Sequence, residues 1–549
     1  MTDDELSRRT FLGTTAAALL VGPRLGVDMS RLPARPSGDV LTTPNVPRAP
    51  LDDLSIGDLQ AGLASGKYTA RSLVEQYQAR IDELDKKGPT LNLVLELNPD
   101  ALTIADQLDN ERKAGKTRGP LHGIPILVKD NIDTADRMHT SAGSLALASS
   151  IPSRDSWVAE RLRAAGAVIL GKTNLSEWAN IRSTHSSSGW SGRGGQCKNP
   201  YALDRSTSGS SSGSGGAVAA SYCAAAIGSE TDGSVTSPSA ACGLVGIKPT
   251  VGLIGRSGII PISHSQDTAG PMTRTVRDVA IVLGALTGVD PRDDATKPSA
   301  GKSYTDYTRF LDAGGLRGAR IGVARETYMG YSPKTDKLVE QAIEVLKHAG
   351  ATVVDPANMP SPAKIGDAEL EVLLYELKAD LNSYLEALGP GAPYKTLADI
   401  IRFNEQNAAT EMPYFGQELF EMAQKKGPLT DAKYKNARAK CLRLSRSEGI
   451  DAVMTKNRLD ALIAPTQGPV WPIDLVNGDG GGGGSFTQPA AVAGYPHITV
   501  PMGLVQGLPV GLSFVGRAWT EPTLLKLAYA YEQVSKMRRP PTFAERALA

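Results

Sequence analysis

Two stretches rich in serine and glycine carry hydroxyl groups that could act as nucleophiles. The first is "STSGSSSGSGG", residues Ser206–Gly216, and the second is "SETDGSVTSPSAACG", residues Ser229–Gly243. Composition alone interprets the first stretch as a flexible linker. The second contains "TDGS", a tight turn whose successive N–H groups can point at one position and stabilise an oxyanion. Ser234 closes that turn and is a candidate nucleophile.

A serine nucleophile needs a base, and the sequence offers a lysine for this role. Lys129 ends the apolar run "IPILVK". Its side chain either reaches the surface or is held inside, where lost hydration lowers the pKa from about 10.4 and leaves an amine that can accept a proton. None of the six histidines stands in a metal-binding or Ser-His-Asp motif, so the sequence predicts neither a metal nor a cofactor.

The elements that must position these residues alternate between strand and helix patterns. "GIPILVKDNI" and "AVILGKTN" have the pattern of buried strands, and residues Ala217–Ala226, between the two serine stretches, predict a helix of small residues. Further on, "ARIGVAR" and "KLVEQAIEVLKHAGATVVD" predict a strand, a helix and a second strand. We therefore expect a layered α/β fold with a mixed sheet.

Charge and composition exclude several classes of partner. The formal net charge is +1 and aromatic residues make up 5%, so the sequence lacks the basic surface and stacking platforms of nucleic-acid binding, and nothing predicts a membrane anchor. The four cysteines contain no CxxC pair. Buried free thiols are favoured over one disulfide.

The N-terminal segment has the pattern of an export signal. In "SRRTFLGTTAAALLVGP" adjacent arginines precede an alanine-rich apolar run that is too short to span a bilayer. This arrangement predicts a twin-arginine signal and therefore a periplasmic or extracellular protein. We exclude residues 1–45 from the fold and expect residues 46–549 to form one domain, with a mostly helical insertion around residues 362–449.

Four blocks together resemble the amidase signature family, and they occur in the family's order. They are "GIPILVKDNI", "STSGSSSGSGGAVAAS", "GSETDGSVTSPSAACGLVGIKPTVG" and "QDTAGPMTRTVRD". The family-like pattern continues from roughly Leu54 to Met537. Within the family, "ETDGS", "SQDTAGPMTR" and "APTQGPVWPIDLVNGD" are similar to bacterial peptide amidases, which hydrolyse C-terminal amides of peptides.

The resemblance implies an α/β/α fold around a large mixed sheet and a serine–serine–lysine triad that works through an acyl-serine. Lys129 matches the family's lysine, Ser210 the bridging serine that follows a cis peptide bond, and Ser234 the nucleophile. The backbone amides of the oxyanion hole map onto Thr231, Asp232, Gly233 and Ser234 itself.

The chain departs from the family pattern at two positions near the nucleophile. Asp232 stands where the family often has glycine, and it is expected either to recognise an amide or ammonium group of the substrate or to face solvent. Thr236 replaces a frequent arginine. Ser211 is expected either to donate a hydrogen bond within the site or to pack the loop, and the segment Thr184–Gly192 is a candidate lining of the pocket.

Deamidation of peptides is the leading functional hypothesis, with a peptide or small-molecule amide as the partner. Alternatives are hydrolysis of small aryl or alkyl amides or carbamates, or a transferase component that passes ammonia to tRNA-bound glutamate. The export pattern and the neutral charge argue against the transferase. A binding protein without activity would need a broken triad, whereas all three triad residues are present. The oligomeric state stays open.

Overall fold

The computed structural model describes residues 46–360, 364–480 and 483–547, so the export signal predicted in residues 1–45 lies outside it. In this part of the chain, eleven strands form one sheet and two short strands pair separately. The strands are β1 (Val94–Leu97), β2 (Pro125–Lys129), β3 (Val168–Thr173), β4 (Trp190–Ser191), β5 (Gly195–Gln196), β6 (Ala225–Glu230), β7 (Val245–Lys248), β8 (Thr268–Thr273), β9 (Arg320–Val323), β10 (Thr352–Val354), β11 (Ala461–Pro465), β12 (His497–Val505) and β13 (Leu508–Val515).

The sheet is mixed, as the sequence predicts. Its strand order is β1-β3-β2-β6-β8-β7-β12-β13-β11-β9-β10. At its centre β2 lies parallel to both β3 and β6, whereas β8 is antiparallel to β6 and to β7. Parallel strands end at the same edge of a sheet, so Lys129 at the end of β2 and Glu230 at the end of β6 meet there.

Helices cover the sheet and share its hydrophobic core, which completes the layered α/β architecture. The α-helices are α1 (Ile56–Ala64), α2 (Ala70–Ile81), α3 (Ala101–Lys113), α4 (Trp157–Ala164), α5 (Ser212–Ala219), α6 (Thr236–Ala241), α7 (Val276–Leu286), α8 (Pro333–His348), α9 (Gly366–Ala387), α10 (Leu397–Gln406), α11 (Ala408–Glu411), α12 (Glu418–Gln424), α13 (Ala432–Leu442), α14 (Asp451–Asn457), α15 (Gln488–Ala493) and α16 (Glu521–Ser535). The predicted strand–helix–strand unit is confirmed as β9, α8 and β10, with its strands parallel.

The helix predicted over Ala217–Ala226 is wrong at both ends. Helix α5 begins earlier, at Ser212 inside the serine-rich stretch, and residues from Ala225 onward form the buried strand β6. Alanine is a poor strand former, but a central strand is governed by its packing, and small residues let α5 approach closely. A Cβ on Gly228 would come within 2.6 Å of Ser211 Oγ. The serine-rich stretch is therefore a buried structural element, not a linker.

Helices α9 to α13 form a layer that follows the β9–α8–β10 unit. Leucines on one side of α9 pack with residues of α10 and α12 in a separate apolar cluster, and α9 also contacts α13. That this layer is an insertion into a single domain remains a prediction. Within the described residues no helix has the length and apolar character that crossing a membrane requires. The four cysteines are buried and unpaired.

Candidate active site

Lys129 is held inside the protein, which decides between the two interpretations of its position. It ends β2, every residue of which is buried, and its own side chain is fully buried. Its Nζ lies 2.7 Å from Ser210 Oγ and 3.0 Å from Ser229 Oγ. Burial lowers the pKa of Lys129 to about 7, although Asp267 and Glu230 act in the opposite direction. The amine is therefore substantially neutral near pH 7.

The contacts of a neutral Lys129 leave its lone pair directed at one hydroxyl. A neutral amine has two N–H donors, and Ser229 offers two acceptors, its Oγ and its carbonyl oxygen at 3.3 Å. The remaining neighbour is Ser210 Oγ, which can then donate its proton to the nitrogen. Asn131 Nδ2 donates to Ser229 Oγ at 2.9 Å and so fixes this second serine.

Ser210 follows a cis peptide bond to Gly209, the geometry that the resemblance implies. Its carbonyl oxygen accepts the N–H of Ser176 at 3.0 Å. A Cβ at position 209 would come within 2.3 Å of Ser176 Oγ and 3.0 Å of Ser188 Oγ, so the close packing requires glycine here. The contact also places Ser188, in the predicted lining segment Thr184–Gly192, against this loop.

The turn Thr231–Ser234 follows β6 and is held by hydrogen bonds on both sides. Glu230, the last residue of β6, accepts the N–H groups of Val235 and Thr236 at 2.8 and 2.9 Å. The half-buried Ser234 has its carbonyl oxygen bonded to the N–H of Ser211 at 3.2 Å, which joins the two serine-containing segments. Among the described residues there is no hydrogen bond between the hydroxyls of Ser210 and Ser234; such catalytic bonds often tighten only when substrate binds.

The turn presents free N–H donors where the sequence predicts an oxyanion hole. Within the described chain, no acceptor is bonded to the backbone N–H groups of Thr231, Asp232, Gly233 or Ser234. Gly233 has a φ of +76°, in the left-handed region, and this bend aims successive N–H groups toward one side. Four unpaired donors beside a serine hydroxyl are suited to a tetrahedral oxyanion.

The side chain of Asp232 is half-buried and interacts electrostatically with a second carboxyl group. Its Oδ1 is inaccessible and has no hydrogen-bond partner among the described residues, so this oxygen does not face solvent. Burial and the neighbouring Glu369 raise the pKa of Asp232 well above its usual range. Glu369 accepts N–H groups from Gln266 at 2.9 Å and from Gln488 at 2.6 Å. Burial raises the pKa of Glu369 as well, to about 7, so both carboxyl groups of this pair hold a proton more readily than an exposed acid does.

Ser211 and Thr236 form hydrogen bonds to the end of β6, next to the turn that contains Ser234. Ser211 Oγ donates to the carbonyl oxygen of Ser229 at 3.1 Å, and Thr236 Oγ1 donates to Glu230 Oε2 at 3.2 Å. The fully buried Lys248 interacts electrostatically with Glu230, the carboxylate that accepts the Thr236 hydroxyl. Burial lowers the pKa of Lys248 to about 8.

Sequence reasoning did not single out several residues that shape this site. Ser229, Glu230 and Asp267 stand in the quoted motifs, so their positions were visible although their roles were not. Asp267 accepts the hydroxyl of Thr231 at 2.6 Å, and burial raises its pKa to about 6. Glu369 comes from α9, more than a hundred residues after the turn, and no spacing in the sequence connects it to Ser234.

One histidine and two acids converge elsewhere in the described chain, but they are engaged with one another. His264 Nδ1 lies 2.9 Å from Asp380 and its Nε2 lies 3.4 Å from Glu376. Glu376 also accepts the hydroxyls of Tyr434 and Ser263. Hydrogen bonding to Asp380 raises the pKa of His264, so this group is an ion-paired cluster that joins α9 to the loop before β8.

Comparison with known proteins agrees with the motifs and the fold. The family model described as amidase matches residues 72–525. A protein named probable amidase from Arabidopsis thaliana is 40% identical over 90% of this chain and 92% of its own. A glutamyl-tRNA(Gln) amidotransferase chain from Chloroflexus aurantiacus is 37% identical over 88% of this chain and 97% of its own.

Among solved structures, the native peptide amidase from Stenotrophomonas maltophilia is 51% identical and superposes with a TM-score of 0.86. The match covers 90% of this chain and 99% of that one. The family match, the relatives and the shared architecture lead to one assignment. This chain belongs to the amidase signature family and is a hydrolase that acts on amides.

Proposed function

We propose that the protein removes the C-terminal amide of peptides and releases ammonia through an acyl-serine intermediate. The observation that carries the proposed substrate is the 51% identity, over nearly the full length of that protein, to a peptide amidase. The observation that supports the proposed chemistry is the buried Lys129 amine 2.7 Å from Ser210 Oγ, beside a turn with unpaired N–H donors.

In the proposed first half-reaction, Ser234 is the nucleophile. Neutral Lys129 accepts the proton of Ser210 Oγ as Ser210 Oγ accepts the proton of Ser234 Oγ. Ser234 Oγ forms a bond to the amide carbon, and the electron pair of the carbonyl moves onto its oxygen. The N–H groups of Thr231, Asp232, Gly233 and Ser234 stabilise that negative charge, and loss of one such donor typically costs about 2.7–4 kcal/mol.

The intermediate then breaks down along the same proton route. The C–N bond breaks as the nitrogen takes a proton from Ser210, which is reprotonated by Lys129, and ammonia leaves. Water loses a proton to the same relay, attacks the acyl-serine and releases the carboxylic acid. Ser234 Oγ regains its proton and the enzyme returns to its starting state.

The acidic pair Asp232–Glu369 supports selection of an uncharged amide over the carboxylate that the reaction produces. Glu369 accepts two N–H donors, and among the described residues no cation is bonded to either oxygen to offset its charge once the pH rises above its pKa of about 7. A substrate carboxylate placed nearby would add a second negative charge in a poorly solvated region. Glu369→Gln would remove this charge, and we expect the free-acid product to inhibit that variant more strongly.

Ammonia release from matched amides tests the substrate. We expect an amidated dipeptide to be turned over faster, by kcat/KM, than a simple anilide or a small alkyl amide of the same acyl group. Faster turnover of the anilide would favour the alternative of a general aryl or alkyl amidase. Activity that appears only with glutamyl-tRNA as acceptor would instead support the transferase alternative raised by the Chloroflexus relative.

Substitution of Ser234 tests the chemistry independently of the substrate. Ser234→Ala keeps the backbone N–H donors and removes only the hydroxyl, so we expect hydrolysis of every amide in the panel to be lost. Ser239→Ala is a matched control, because this serine lies on α6 and its hydroxyl bonds the Val235 carbonyl at 2.7 Å. Wild-type turnover in Ser234→Ala would mean that another group is the nucleophile.

A further inference from the structure

A cavity of about 490 Å³ is lined by residues other than those of the proposed triad. It lies between the segment after β7, the loop before β8, helix α13 and the chain that precedes β12. None of Lys129, Ser210 and Ser234 lines it. Its volume falls within the range of small-molecule sites, about 300–1,000 Å³.

The cavity is lined by cations and by no acidic residue of the described chain. Arg438 on α13 is half-buried and forms no hydrogen bond or ion pair with any described residue. Arg446 donates its Nε to the carbonyl oxygen of Ala493 at 2.9 Å and has no carboxylate partner among these residues. Burial lowers the pKa of Arg446, and the nearby charge of Arg438 acts in the same direction, so the two guanidinium groups are close.

The acids of the described chain nearest the cavity are bonded to other groups and form no ion pair with Arg438 or Arg446. His264 lines the cavity as the third basic group, and its pKa is raised by its bond to Asp380. Asp451, which interacts electrostatically with Arg446, accepts the Tyr495 hydroxyl at 2.9 Å and lies 3.4 Å from Arg517 Nε. Arg438 and Arg446 repel each other, and a bound anion would reduce that repulsion.

Two aromatic residues form part of the cavity wall. Tyr495 and Trp519 both line it, and the guanidinium of Arg446 lies 5.3 Å from the Tyr495 ring centre. Guanidinium groups bind carboxylates through paired hydrogen bonds, and the aromatic rings offer apolar area to the rest of a ligand. A bare inorganic ion would use the arginines and leave this aromatic wall uncovered.

We propose that this cavity is a binding site for a small organic carboxylate, separate from the catalytic serines. The carboxylate lies against Arg438 and Arg446, and the apolar body of the ligand packs on Tyr495 and Trp519. This assignment does not depend on which amide the enzyme hydrolyses.

Calorimetric titration with benzoate, benzamide and inorganic phosphate tests the site. We expect benzoate to bind the wild-type enzyme and to lose about tenfold or more in affinity in Arg438→Ala/Arg446→Ala. Arg443→Ala is the matched control, because Arg443 is paired with Glu448 and does not line the cavity. Its affinity for benzoate should stay within about twofold of wild type. If the double variant is unstable, Arg438→Gln replaces it in the test. The Arg438 side chain has no hydrogen-bond or ion-pair partner in the described chain, so this substitution should leave the fold intact.

Tryptophan fluorescence tests whether benzoate binds next to Trp519. Benzoate should change the emission of the wild-type enzyme, and most of that change should disappear in Trp519→Phe. Unchanged benzoate affinity in the arginine variants, or benzamide binding as tightly as benzoate, would overturn the proposal. Phosphate binding as tightly as benzoate would also overturn it, in favour of a simple oxyanion site.

Discussion

Two fully buried lysines lie at or next to the ends of neighbouring parallel strands, yet their surroundings differ in kind. Lys129 ends β2, and Lys172 lies one residue before the end of β3, in register with Val128. Lys172 Nζ donates to the Ile132 carbonyl oxygen at 2.6 Å and to Thr140 Oγ1 at 2.7 Å. Lys129 Nζ instead meets the hydroxyls of two serines and one carbonyl oxygen.

The difference in nearby charge determines which lysine can serve as a base. Burial lowers the pKa of both, but Asp130, Asp133, Asp136 and Glu96 all act to keep Lys172 charged. Lys129 has only Asp267 and Glu230 acting in that direction among the described residues, and neither is hydrogen-bonded to it. Burial alone therefore does not make a lysine a base. A lysine that acts as a base also needs few acids close to it and a neighbouring hydroxyl that can donate a proton.

Lys129→Met should produce the largest loss of activity. The substitution removes the proposed base, and positioned acid–base groups typically contribute about 10²–10⁴-fold to rate. The free energy of unfolding should change by no more than about 1–2 kcal/mol, because one buried amine and its few hydrogen bonds are lost. Steady-state kinetics and urea unfolding measure the two effects. Near-normal kcat/KM in the folded variant would exclude Lys129 as the base.

Lys172→Met, the same substitution on the next strand, should mainly destabilise the fold. Removing this cation takes away two hydrogen bonds and the positive charge that acts on the buried Asp130 and Asp133, and leaving a buried charge uncompensated typically costs about 3–5 kcal/mol. Urea unfolding should show this loss, while the folded fraction retains most of its kcat. A variant as stable as wild type would mean that Lys172 does not balance these acids.

The pH dependence of kcat/KM should distinguish the two lysines again. The folded-state pKa of Lys129 is depressed to about 7 from its ordinary 10.5, so the base form is lost as pH falls through 7. We expect about a 100-fold loss between pH 8 and pH 5, which follows from single-proton titration. Lys172→Met should keep this acidic limb, and a rate that does not change over this range would contradict the assignment.

Among these substitutions, Ser229→Ala should have the smallest effect, and this effect should be on kcat. It removes the hydroxyl that accepts from both Lys129 and Asn131 but leaves the carbonyl acceptor in place. One hydrogen bond is worth about 1 kcal/mol, which corresponds to roughly fivefold in kcat. KM should stay near its wild-type value because Ser229 holds the lysine and not the substrate. A large rise in KM would instead place Ser229 in the binding site.

The sequence predicts the local structure around Lys129 and Ser234 better than the long-range packing. The apolar run before Lys129 indicates a buried strand, and the "TDGS" turn indicates unpaired N–H groups, because both signals lie within a few residues. The sequence predicts helix α5 too far along the chain, at Ala217–Ala226, because alanine-rich segments favour helix locally. In the fold, residues from Ala225 onward form a strand at the centre of the sheet. Glu369 and the arginine-lined cavity depend on helices far along the chain, whose packing no motif records.

Titration of Lys129 itself tests the central claim most directly. In protein labelled with ¹³C at lysine Cε, the resonance that is absent from Lys129→Met identifies this side chain, and Lys172→Met identifies its neighbour. We predict that the Lys129 signal titrates with a midpoint of about 7, because burial disfavours the charged amine and no acid of the described chain is bonded to it. A midpoint near the ordinary value of 10.5 would mean that Lys129 is charged at neutral pH and cannot be the base.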